Sequence, residues 1–169
     1  MIYEVFIRDT AIHQRNLRNM YSANQIASAF VDKAIKEKSY LTHMKLQKLI
    51  YIANGIHLAR NGQPLIIEPI ETWDYGPVVQ SVYQNYKIFG SSQISVNAFE
   101  GLIPEVKLDD NAKKSIDDAW TVGKGVDGIQ LSNWTHKEGS PWTIAKEKSL
   151  PVIPNDEMKS YFETFIGSK

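Results

Sequence analysis

The stretch LSNWTHKEGSPW, residues 131–142, places His136, Glu138 and Ser140 two positions apart from one another between Trp134 and Trp142. A histidine, a carboxylate and a hydroxyl are the parts of a base-activated nucleophile, so the first chemistry to weigh is hydrolysis. Such a triad needs the histidine between the other two groups with aligned hydrogen bonds. Gly139 and Pro141 instead place these residues at a helix, turn, helix corner. There Ser140 accepts from the free N–H groups of the next helix, and Pro141 takes the first helical position, where a missing N–H costs nothing. His136 falls where a helix C-terminus favours a cation, and Trp142 has the area to hold the corner on the core. Capping accounts for each polar residue without a strained nucleophile turn, so the stretch is read as a corner and no catalytic residue is assigned.

The other chemical signals are weaker. GKGVDG, residues 123–128, matches the dinucleotide fingerprint by letter, but it follows a helical pattern where that motif must follow a strand, so it is read as a helix end and a turn. His13, His43, His57 and His136 have no metal-ligand spacing, and the chain has no cysteine, which removes disulfides, thiolate nucleophiles and sulfur-based zinc sites. No metal or cofactor is expected. His57 lies in an apolar helical stripe and is read as a hydrogen-bonded core residue. Lys45 and Lys48 are three apart in a stretch without acids, and their default reading is a solvated face.

Those residues need a scaffold, and the composition bounds it. A chain of 169 residues with 43% hydrophobic content fits one domain, since folding at this size buries roughly 70% of the unfolded surface. Nineteen basic side chains balance nineteen acidic ones, which argues against nucleic acid and acidic membranes as partners. No stretch approaches the ~20 apolar residues of a membrane span, and Glu4 interrupts the N-terminus before a secretory core forms. The expected location is therefore the cytoplasm, where the acceptor-like Asn133 carries no glycan.

The expected fold is mainly α, in the α+β sense: a compact helical domain around a buried central helix with a small antiparallel sheet or hairpin. Ser22 and Gln25 form a capping box for a helix to about Lys38. A second helix from Thr42 to the Asn61-Gly62 stop is apolar nearly all round and is read as the central one. Residues 65–73 suggest a short strand. Pro77 is taken as the first residue of a helix carrying Val78, Val82, Tyr86 and Phe89, and residues 91–99 as the second strand. Further helices follow Asp109 or Asp110, run over 127–135, begin at Ser140-Pro141, and carry Met158, Tyr161, Phe162 and Phe165. Residues 20–169 are expected to form the domain. Residues 1–19, with Arg8, Arg15 and Arg18, stand apart as an added strand, a partner-binding arm or the product of an upstream start codon, Met20 being an equally sensible start.

LTHMKLQKLIYIANGIHLARNGQPLIIEPIETWDYGPVVQSVY, residues 41–83, together with LSNWTHKEGSPW, resembles the Panacea antitoxin domain, also described as SocA-like or phage-associated GepA-like. The resemblance covers about residues 20–148. Met44 and the pair Asn133-Trp134 depart from the family pattern without breaking it. The resemblance implies an antitoxin of a two-gene pair, often carried by prophages and other mobile elements, that binds a cognate toxin protein. The positions it carries over are Lys45, Lys48, Tyr51, Tyr75, Gly76, Pro77, Val78, His136, Ser140, Pro141 and Trp142, whose roles are partner binding or structural. Gly76 and Pro77 are expected to shape a turn, with Tyr75 and Lys45 reaching solvent.

The leading expectation is a non-enzymatic binder that neutralises its toxin directly. The alternative the resemblance brings is a proteolytic adaptor, for which a cytoplasmic protease becomes a second partner. A hydrolase using His136, Glu138 and Ser140 and a DNA-binding autorepressor stand behind these two. Partner choice is expected at Tyr75, in residues 1–19 or in residues 149–169.

Overall fold

The computed structural model describes residues 20–95 and 106–167. Its first helix, α1 (Ala23–Lys36), starts where expected: Ser22 Oγ accepts from Gln25 N, and the Gln25 side chain accepts from Ser22 N. One face carries Ile26, Phe30, Val31 and Ala34 into the core. The helix ends two residues short of Lys38, which sits at a φ of 50° and turns the chain.

Helix α2 (His43–Asn61) runs from its Thr42 cap to Gly62, whose φ of 70° closes it in the left-handed region. Every residue from Lys45 to Leu58 is buried, including Gln47, Lys48, Asn54 and His57. Its large aliphatic side chains, Leu46, Leu49 and Ile50 among them, each contribute about 1.5–3 kcal/mol by leaving water. The polar ones need partners: Asn54 Oδ1 accepts from Leu65 N at 2.9 Å, and His57 Nδ1 lies 3.0 Å from Ser115 Oγ. The expectation of a hydrogen-bonded core histidine at position 57 is met.

The hairpin consists of β1 (Glu71–Trp73) and β2 (Gly76–Val78), antiparallel, with Glu71 opposite Val78 and Trp73 opposite Gly76. This corrects two expectations. Pro77 lies in a strand and opens no helix; α3 (Gln80–Tyr86) begins three residues later and runs into a 3-10 turn, Lys87–Phe89. The partner of β1 is β2; of residues 91–99, the described ones, 91–95, supply a bridge from Gln93 to Thr42, and residues 96–105 lie outside the described residues. The outer edge of β1 is covered by residues 150–153 through Thr72 N to Pro151 O and Ile153 N to Ile70 O. An edge strand tolerates Pro77 because a proline has no N–H to contribute to a ladder.

Helix α4 (Asp110–Gly123) takes Asp109 as its cap and packs Ile116, Ala119 and Trp120 inward. Asp127 caps α5 (Gly128–Thr135), so GKGVDG is a helix end and a turn, as read from the sequence. Helix α6 (Pro141–Glu147) and helix α7 (Asn155–Ile166) complete the described fold, with Phe162 of α7 against Tyr51 of α2 at 5.5 Å between ring centres. The architecture is mainly α with one small antiparallel hairpin, wrapped around α2. Among the described residues, no helix is long and apolar enough to cross a membrane.

Candidate functional site

Of the residues carried over by the resemblance, Lys48, Gly76, Pro77, Tyr75, His136 and Trp142 come together where α2 and the end of α5 support the hairpin, whereas Lys45 and Tyr51 lie elsewhere. Among the described residues β2 has a neighbour strand on one side only, and α2 supplies what a second would. Gln47 Oε1 accepts from Val79 N at 2.8 Å, its Nε2 donates to Val79 O at 3.2 Å, and Lys48 Nζ donates to Pro77 O at 3.1 Å. Two side chains of a buried helix thus satisfy a strand edge, which costs free energy if left unpaired away from water. Gln47 and His43, whose ring lies 5.2 Å from that of Tyr83, were not among the residues singled out from the sequence. The available signal was a glutamine inside a helix that is apolar nearly all round.

Lys48 is 1% exposed and Lys45 4% exposed, which overturns both the solvated-face reading and the expectation that Lys45 reaches solvent. Lys45 lies along the packed face and donates from Nζ to Lys124 O at 2.7 Å, serving the end of α4. Burial pushes the Lys48 ammonium down from its ordinary value to about 7. His43 and His136 are held below the ordinary histidine value, first by burial and then by Lys48, with Lys146 adding to the effect on His136. His136 is indeed the C-cap of α5, but its surroundings disfavour the cation expected there.

Tyr75 does reach solvent. It is 76% exposed at the hairpin tip, while its carbonyl is fixed by Ser132 Oγ at 2.8 Å and the following Gly76 turns the chain at a φ of 106°. Around it Trp73 packs on Tyr83 at 4.8 Å, Trp142 Nε1 donates to Trp73 O at 3.0 Å, and His136 lies 4.0 Å from the Trp142 ring. Lys146 sits over Trp142 and pairs with Asp74 at 2.9 Å. The result is an exposed tyrosine on a tip held by Ser132, with half-buried aromatic rings behind it.

The corner is structural. Ser140 is 1% exposed, donates to Thr135 O at 2.6 Å and accepts from Thr143 N at 3.2 Å, with Pro141 opening α6. Its hydroxyl is spent on the backbone, and His136 Nε2 has no hydrogen-bond partner, so the pair forms no relay. Ser140→Ala is expected to cost about 1–2 kcal/mol, the range for losing a helix cap, readable as a lower urea midpoint with unchanged slope. Tyr51 is core, its hydroxyl pushed up by burial and by Tyr161. Among the described residues no cluster of three or more metal-binding side chains occurs.

The family model described as "Antitoxin SocA-like, Panacea domain" matches residues 46–143, more than half of the chain. The chain belongs to this family. Every carried-over position except Lys45 falls inside the matched Panacea segment, which runs from the strand-edge helix α2 to the Ser140 corner. This Panacea protein is also 27% identical over 129 residues to "Antitoxin SocA" of Caulobacter vibrioides (strain NA1000 / CB15N), covering 72% of the chain and 69% of that protein. No solved structure matches it.

Proposed function

We propose that the protein is an antitoxin that neutralises a cognate protein toxin by direct binding, without catalysis of its own. Membership of the Panacea family and the likeness to a protein described as an antitoxin support the role. The observation that carries the binding mode is Tyr75, a large aromatic side chain 76% exposed on a tip whose backbone is fixed from below. Interfaces take most of their energy from a few aromatic anchors, and a preorganised anchor loses little entropy when it docks. A partner with an apolar socket would take the Tyr75 ring, with Trp73 and Trp142 widening the contact. Masking of the toxin then needs no reaction at His136 or Ser140, and the Ser140 hydroxyl serves the corner.

Tyr75→Ala is expected to weaken toxin binding by about 2 kcal/mol, roughly thirtyfold, while the melting temperature stays within the small range of a surface change. The partner is obtained by isolating the tagged protein from its native host, and binding is measured by calorimetry with both proteins purified. Inhibition of the purified toxin in that mixture supports direct action. A toxin that stays active in the mixture and disappears only when a protease is added would overturn it, and unchanged affinity in Tyr75→Ala would remove the tip from the interface.

A further inference from the structure

Lys48 is a long, buried, basic side chain whose hydrogen bond is to a backbone carbonyl, Pro77 O. The groups facing it are themselves basic or occupied elsewhere. On α2, His43 lies five residues before Lys48 and interacts with it electrostatically, and Lys45 is bound to Lys124 O. On the hairpin, Glu71 accepts from Trp73 Nε1 and Asp74 is paired with Lys146 of α6. Tyr83 of α3 packs on His43, and from the end of α5 come Thr135 and His136. Burial is the cause of the lysine's lowered value, with no carboxylate opposing it. Contact is also close: a Cβ built on Gly76 would lie 2.9 Å from Lys48 Cε, Lys48 Nζ and Thr135 Oγ1. An ammonium in this position keeps few of its hydration partners, and that loss is costly.

We propose that Lys48 is a protonation-sensitive latch: the tip bearing Tyr75 is firmly closed over a neutral Lys48 and loosens when that amine, with His43 and His136 beside it, takes up protons. In an opened, hydrated hairpin Lys48 returns toward its ordinary value of 10.5, whereas the closed form holds it near 7. Closing therefore releases a proton between those values. Closure is strongest above pH 10.5 and weakens by up to about tenfold per pH unit as pH falls toward 7, below which Lys48 adds nothing more. The two histidines, held below 6.5, carry the loosening further at lower pH. The latch belongs to the free chain; its consequence for partner binding rests on the reading of Tyr75 as the anchor.

Amide hydrogen exchange of the full chain, read by mass spectrometry and corrected for the intrinsic rate, tests this without any partner. Protection of residues 71–79 is expected to fall at least about tenfold between pH 9 and pH 7, while residues 49–58 of α2 change little. Lys48→Met, and Lys48→Gln, which keeps a donor for Pro77 O, are expected to flatten the hairpin profile. The latch is overturned by a flat wild-type profile, by an equal fall in α2, or by a slope that survives in either variant. The wild-type comparison decides even where one substitution prevents folding. Because no toxin is present, failure here leaves the antitoxin reading standing, and an unchanged affinity of Tyr75→Ala leaves the latch standing.

Discussion

Gly76→Ala is expected to lower stability by about 3 kcal/mol and to shift the melting temperature by roughly 6–12 °C. Two independent costs add. A φ of 106° lies where side-chain-bearing residues are strained, worth about 1–3 kcal/mol. The new methyl group would also meet Lys48 Cε, Lys48 Nζ and Thr135 Oγ1 at 2.9 Å. Lys48 is 1% exposed and Thr135 is held by its bond to Ser132 O, so neither can yield into solvent without giving up a partner. Urea unfolding measures the loss, and the same variant should weaken toxin binding beyond Tyr75→Ala, because the tip itself is displaced. A change under 1 kcal/mol would mean that the hairpin is looser than its contacts imply.

The second large effect lies at the crossing of α2 and α7. In an exposed helix, Gly55→Ala would gain about 1 kcal/mol from helix propensity. Here a Cβ at position 55 would fall 2.2 Å from two atoms of the Phe162 ring, which is 3% exposed and confined by Tyr51 and Trp134. Overpacking of that kind outweighs the propensity gain and leaves a net loss of about 2 kcal/mol. Phe162→Leu removes the ring that causes the clash. The double variant Gly55→Ala with Phe162→Leu is therefore expected to be more stable than the sum of the single losses by about 1 kcal/mol or more. Additive losses would show that α7 can shift away from α2, and the tight crossing would not be a constraint.

Much of this molecule was written in local pattern. The capping box at Ser22, the Gly62 stop, the cap at Asp109, one of two candidates, the cap at Ser140 and the nearly continuous apolar surface of α2 each depend on residues within a turn of one another. Hydrogen-bond geometry at a helix end is a short-range matter, so spacing alone was enough to place these elements and to read LSNWTHKEGSPW as a capped corner. The motif residues in 41–83 and 131–142 likewise led to the Panacea family from sequence alone, and the family match over residues 46–143 agrees.

What tertiary structure decided concerns residues whose partners are distant in the chain. Pro77 looked like a helix start because Gly76-Pro77 suits one, but its carbonyl is taken by Lys48, 29 residues earlier, and Val79 is clasped by Gln47, 32 residues earlier. Those bonds hold the backbone extended where the Gly76-Pro77 pair had suggested a helix start. Lys45 and Lys48 looked solvated because nothing nearby in sequence is acidic; the fold buries both and satisfies them with the carbonyls of Lys124 and Pro77. A lysine's burial is set by the elements that close over it, and its own neighbours in the chain carry no record of them. Tyr75 was marked by the motif, but its exposure on a fixed tip follows only from the hairpin, Ser132 and α2 meeting in space.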